Sequence, residues 1–231
     1  AQESRGLGDV YKRQVQCNYK PQARIGQKCQ NRDAPSSADS VYLQQGDKLY
    51  KALFSRKTID KIPEYYDCVH DLLNTSAVQE LGEYTHHKGT TRLQHSLNVS
   101  YYNFLLCRKL HFDACSAARA GLLHDLFLYD RKQHEPVEGE GNHAVGHPKV
   151  AFFNAAEMFP INDREGDMIA NHMWPLSPHM PHFRETWVIQ FVDKACALGE
   201  ISCLAARISR SKIRLAAAFS LTLLVRLTIR L

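Results

Sequence analysis

Residues 113–130 read DACSAARAGLLHDLFLYD, and the reading of this stretch decides the fold. Asp113 is a helix-capping residue type placed directly before an Ala- and Leu-rich run, which predicts a helix through Leu123 and His124. The run closes on His124-Asp125. A carboxylate in apolar surroundings is costly unless it is paired, hydrogen-bonded or bound to a cation. Adjacent side chains diverge on a regular helix, so His124 and Asp125 can meet one ion only if the helix ends there, and Leu126–Asp130 is a reasonable end.

Working outward, the same kind of residue recurs on other helices. Thr91–Leu110 has helically spaced apolar residues at Leu93, Leu97, Val99, Tyr101 and Phe104–Leu106, and it carries His95 in TRLQHSLNVS. Arg184–Glu200 carries Asp193 in VIQFVDKACA, among Phe191, Val192 and Ala195. Between them, Pro148 fits the first turn of a helix running to Met158. Asp163 fits the cap of a helix that reaches His172 and stops before Pro175. On the N-terminal side, Asp47–Ser55 and Pro63–Leu73 have helical spacing, and Ser76–Gln79 reads as a capping box. No apolar/polar alternation runs beyond four residues and no repeat is present. The expected fold class is therefore all-α, a bundle of about six to eight helices.

The chain has 12 histidines. Imidazole with carboxylate is a ligand set for Zn, Fe, Mn or Ni. His86, His87, His134, His143, His179 and His182 read as loop residues. His95, His124, Asp125 and Asp193 lie on or beside strong helices, and so do His147 in GHPKVAFFNAAEM and His172 in MIANHMWP.

The order H…HD…D, here His95, His124-Asp125 and Asp193, resembles the HD-domain superfamily of metal-dependent phosphohydrolases over about residues 76–200. With His147 and His172 the order becomes H…HD…H…H…D, which is similar to the two-metal branch of that superfamily. The resemblance implies an HD-domain helical bundle with His95, His124, Asp125 and Asp193 on one ion. His147, His172 and a bridging Asp125 would hold a second. It implies divalent cofactors, two in number (Mn, Fe, Ni, Zn or Mg), and hydrolysis of a phosphate ester or anhydride in a nucleotide or other small phosphorylated metabolite. In that chemistry the ions lower the pKa of a water and Asp125 orients it, while Lys194 or Arg92 offsets phosphate charge. Lys88, Arg131 and Lys132 are further cations, the last two reading as solvated surface. The sequence departs from the HD-GYP subfamily, whose HDxGK lysine is replaced by Leu128. The alternatives are a di-iron oxygenase built on the same ligands, or a non-catalytic HD-type binding module.

The net charge of +5 belongs to one end of the chain. No acidic residue follows Glu200, and Arg207, Arg210, Lys212, Arg214, Arg226 and Arg230 give residues 201–231 a charge of +6, leaving the remainder at −1. The body offers no electrostatic case for a nucleic-acid partner. The basic tail could touch a membrane as an amphipathic helix, but its longest apolar run, Leu215–Val225, is too short to span one. Seven cysteines without a CxxC pair fit reduced thiols and a cytoplasmic location. Ser4–Gln14, SRGLGDVYKRQ, resembles a translated sequencing adapter, so residues 1–14 are set aside. Residues 15–75 read as a polar segment with short helices, 76–200 as the domain, and 201–231 as a separate tail.

Overall fold

The computed structural model describes residues 50–229 apart from 54, 56, 88, 135–141 and 178, with residues 60, 87 and 212–229 as backbone only. The readings of residues 1–14 and 15–45 lie outside the described residues. Seven α-helices are described: α1 (Pro63–Leu73), α2 (Ser76–Glu80), α3 (Arg92–Lys109), α4 (Ala114–Leu123), α5 (His143–Met158), α6 (Asp163–Asn171) and α7 (Arg184–Ile229). A 3₁₀ turn at Ile59–Lys61 precedes α1. A two-stranded antiparallel hairpin, β1 (Thr85–His87) with β2 (Thr90–Thr91), leads into α3. The all-α bundle expected from the sequence is the fold.

Local chemistry sets most of the boundaries. Asp113 accepts a hydrogen bond from the Ser116 N–H and starts α4 as expected. α3 starts one residue after its expected start, and two caps fall one residue from their expected places. Thr91 caps α3 through the Gln94 N–H. Thr75, not Ser76, caps α2, through the Val78 N–H and without a capping box. Asn162, not Asp163, starts α6, where it exchanges hydrogen bonds with Glu165 in a full capping box. α5 begins at His143 because Asn142 caps the Val145 N–H, so Pro148 lies inside that helix and not in its first turn. The part of Asp47–Ser55 that is described is not helical: Tyr50–Ala52 is irregular and Leu53 sits in a turn. There the Leu53 N–H is drawn off to the Asn98 side chain, a tertiary bond that a helix could not make. The backbone of α7 continues helical through Ile229, joining the basic tail to the preceding helix without a break. No described helix is long and apolar enough to cross a membrane.

The core is built around the crossing of α3 and α4, where small residues allow close approach. A Cβ on Gly121 would lie 2.6 Å from the Ser100 Cα and 2.8 Å from the Ser100 N. Ser100 Oγ donates to the Ala118 carbonyl at 2.6 Å and accepts from the Tyr65 hydroxyl at 2.7 Å, which links α1, α3 and α4 through one buried chain. Leu72, Leu97, Phe104, Leu122, Leu123, Phe152, Ile169 and Ile189 fill the surrounding space. Tyr65→Phe removes one buried hydrogen bond and leaves Ser100 its carbonyl acceptor. The expected loss is about 1 kcal/mol, read as a shift in urea midpoint at constant slope.

Two buried carboxylates aim the later helices. Asp167 Oδ2 accepts from the backbone N–H groups of His182 and Phe183, each at 3.1 Å, and from the Thr186 hydroxyl. These bonds fix the start of α7, and with it the direction of Asp193 two and a half turns later. Glu165 Oε1 lies 3.1 Å from Arg119 Nε, and Arg119 also forks onto Asp71 of α1.

Candidate metal centre

His95 lies in the second turn of α3, His124 is the C-terminal cap of α4, and Asp125 follows it. The helix does end at this point. The Phe127 N–H turns back to the Asp125 carbonyl at 2.8 Å, which frees the Asp125 side chain to face the same way as His124. His147 comes from α5, His172 caps the C-terminus of α6, and Asp193 comes from α7. The fold brings all six residues to one place, with Asp125 in the middle. Its Oδ2 lies 3.7 Å from His124 Nε2, and its Oδ1 lies 3.5 Å from His147 Nε2 and 3.9 Å from His172 Nε2. Asp193 Oδ1 lies 3.0 Å from His95 Nε2 and 3.8 Å from His124 Nε2. All six are buried except Asp193, which is partly so.

The orientation of the imidazoles is set from behind. His124 Nδ1 is 2.9 Å from the Gly121 carbonyl, His147 Nδ1 is 2.7 Å from the His143 carbonyl, and His172 Nδ1 is 2.9 Å from the Ile169 carbonyl. A carbonyl can only accept, so in each ring Nδ1 carries a proton and Nε2 is the nitrogen left to offer a lone pair once the ring is neutral. Three Nε2 atoms therefore converge as bases. His147 Nε2 and His172 Nε2 stand 3.0 Å apart, and His124 Nε2 is buried with no hydrogen-bond partner. Lone pairs packed against one another and against carboxylate oxygens need a cation between them.

The electrostatics agree. Burial, with His124 and His147 close by, pushes the His172 imidazole down to about 3, so the ring is neutral at pH 7. Burial also lowers His147. Burial would raise the Asp125 carboxyl, but the imidazoles of His124, His147, His86 and His172 hold it well below the carboxylate range. Burial opposes charge on His95 as well, yet its hydrogen bonds to Asp193 and Glu200 raise the imidazole to about 10. Two groups drawn from the six residues, His95–His124–Asp193 and His124–Asp125–His172, place ligand atoms within 4.8 Å of one another.

A cavity of about 260 Å³ adjoins the cluster and is lined by its Asp125, His147, His172 and Asp193. Lys194 and Arg131 also line it. Arg92 also lines it but is only 1% exposed, and its guanidinium donates to the Phe127 and Tyr129 carbonyls while stacking 3.5 Å from the Phe127 ring centre. That grip holds the turn after Asp125 in place and leaves Arg92 little freedom to follow a substrate.

Three residues near the cluster escaped the sequence reading. His86 and His143 read as loop residues, yet both line the cavity. The His86 ring stacks on His95 at 3.8 Å, with Nδ1 3.6 Å from Asp125 Oδ2. His143 opens α5, and partial burial beside His147 and Arg131 lowers it to about 4. No pattern in a three-residue strand could have flagged His86. Glu200 accepts a hydrogen bond from His95 Nδ1 at 3.0 Å. Its signal was available: it follows Asp193 by seven residues, two turns along one face of α7.

No family model, curated protein or solved structure matches the chain. What the fold and the cluster define is an all-α bundle whose buried His, Asp and Glu side chains could hold a metal ion.

Proposed function

We propose that this chain is a metal-dependent phosphohydrolase of the HD-domain kind, acting on a phosphate ester or anhydride of a nucleotide or another small phosphorylated metabolite. The observation that carries the reading is the position of Asp125, whose two oxygens face separate histidine groups. Oδ2 faces His124, and Oδ1 faces His147 and His172. His95, His124, Asp125 and Asp193 would hold one divalent ion, and His147, His172 and Asp125 a second. Such ions, when bound, supply Lewis acidity toward a phosphoryl group and acidify water.

The chain's own residues do the rest. Carbonyl-anchored imidazoles keep their Nε2 atoms aimed without reorganisation, which is where preorganised sites gain most. Arg131 and Lys194 line the cavity, the latter with its ammonium on the Gln190 carbonyl, and these cations support phosphoryl transfer over the di-iron oxygenase reading of the same ligands. Arg92 supports the Asp125 turn. The test is metal analysis of the purified chain, followed by phosphate release from nucleotides and sugar phosphates with added Mn²⁺ or Ni²⁺. Two ions per chain and metal-dependent phosphate release are expected. A chain that takes up no divalent ion overturns the metal centre. Bound iron with O₂ uptake and no phosphate release overturns hydrolysis in favour of the oxygenase.

A further inference from the structure

We propose that Asn98 and Glu200 form a positioning relay that fixes His95 as an Nε2 metal ligand, so that this ligand of the first ion is set by a side-chain chain running through α3 and α7. The inference rests on the metal-centre reading above and adds residues to it.

The orientation of every group in the relay follows from one unambiguous donor. The backbone N–H of Leu53 donates to Asn98 Oδ1 at 2.8 Å, and Gln94 Nε2 donates to the same oxygen at 2.9 Å. Asn98 Oδ1 is thereby the acceptor end of the amide, so Asn98 Nδ2 must be the end that reaches Glu200 Oε1, at 2.7 Å. Glu200 Oε1 accepts there, and the same oxygen lies 3.0 Å from His95 Nδ1. A carboxylate oxygen already accepting from an amide accepts again from the imidazole, so Nδ1 of His95 carries its proton and Nε2 is the nitrogen turned to Asp193.

His95 differs in this from its three neighbours. His124, His147 and His172 are each anchored on a backbone carbonyl three or four residues back in their own segment. His95 is anchored by a charged side chain from another helix, 105 residues away. His95, Asn98 and Glu200 are all shut from solvent, at 0%, 0% and 5% exposed. A buried carboxylate behind an imidazole both holds the ring and raises the basicity of the far nitrogen, which strengthens its bond to a metal. Asn98 and Glu200 are not among the residues that line the cavity beside the cluster, so they are positioning residues and not catalytic ones.

The experiment is Mn²⁺ titration of the full chain and its variants, with thermal unfolding of the metal-free forms alongside. Glu200→Ala is expected to weaken binding of one Mn²⁺ by ~10–100-fold and leave the other unchanged. Glu200→Gln keeps an accepting oxygen but not the charge, folds as a near-isostere, and is expected to fall between Glu200→Ala and the wild type. Tyr65→Phe is the control, since it loosens the core without touching the centre and is expected to bind Mn²⁺ as the wild type does. Wild-type affinity in both Glu200 variants, or equal weakening in Tyr65→Phe, overturns the relay while the metal centre stands. A wild-type chain that binds no Mn²⁺ overturns the metal centre itself, and the relay with it.

Discussion

Asp125→Ala is expected to lose both metal equivalents and phosphate release together, with kcat/KM down by ~10³-fold or more, about 4 kcal/mol of transition-state stabilisation. The size follows from position. Asp125 presents one oxygen toward His147 and His172 and the other toward His124 and His86, so it is the carboxylate that faces both histidine groups. Removing it takes the negative charge from the middle of both half-sites and leaves neutral Nε2 lone pairs facing each other. Metal-free stability should change far less, because no helix or core contact depends on the carboxylate. The discriminating measurement is the thermal shift on adding Mn²⁺. A wild-type chain at 100 times its Kd gains ~2.7 kcal/mol, and the variant gains none. Full metal content with intact turnover in Asp125→Ala sinks the assignment of the centre. Asp125→Asn, which keeps the shape, separates loss of charge from loss of bulk.

Gly121→Ala is expected to be the most damaging glycine-to-alanine change among the helical glycines described. Its Cβ would meet the Ser100 Cα at 2.6 Å, the Ser100 N at 2.8 Å and the Val99 carbonyl carbon at 3.1 Å, all of them backbone atoms of α3 that cannot rotate away. Relief requires α3 and α4 to move apart, which disturbs the Tyr65–Ser100–Ala118 chain and shifts the Gly121 carbonyl that orients His124. A cost of ~3 kcal/mol or more is expected, at the top of the overpacking range, with impaired metal binding in whatever folds. Gly166→Ala is the comparison. Its nearest contact is a Phe152 ring carbon at 3.1 Å, a side chain that can tilt, and the gain in helix propensity offsets much of the strain. Urea unfolding should place Gly166→Ala within ~1 kcal/mol of the wild type. Similar midpoints for the two variants would show that the α3–α4 crossing is looser than its geometry.

Much of this site was legible before folding, because its signals are local. Asp113 as a cap, the Ala/Leu run behind it, and the break at His124-Asp125 are statements about neighbouring residues, and the fold repeats them. The one-residue errors at Ser76 and Asp163 arose where two capping residue types stand side by side and tertiary packing chose between them. Asp47–Ser55 shows the same competition at larger scale. Its apolar spacing allowed a helix, but the Leu53 N–H is held by Asn98, 45 residues on.

The sequence by itself determined the helix pattern and the order of histidines and aspartates along it, since spacing along a helix decides which residues share a face. Which nitrogen each imidazole turns to the centre, that His86 stacks over His95, that Glu200 stands behind it, and that Arg92 grips a backbone turn were decided only by the tertiary structure. Those facts depend on where helices cross, and a crossing is set by contacts between residues as far apart as His95 and Glu200 that no local spacing encodes.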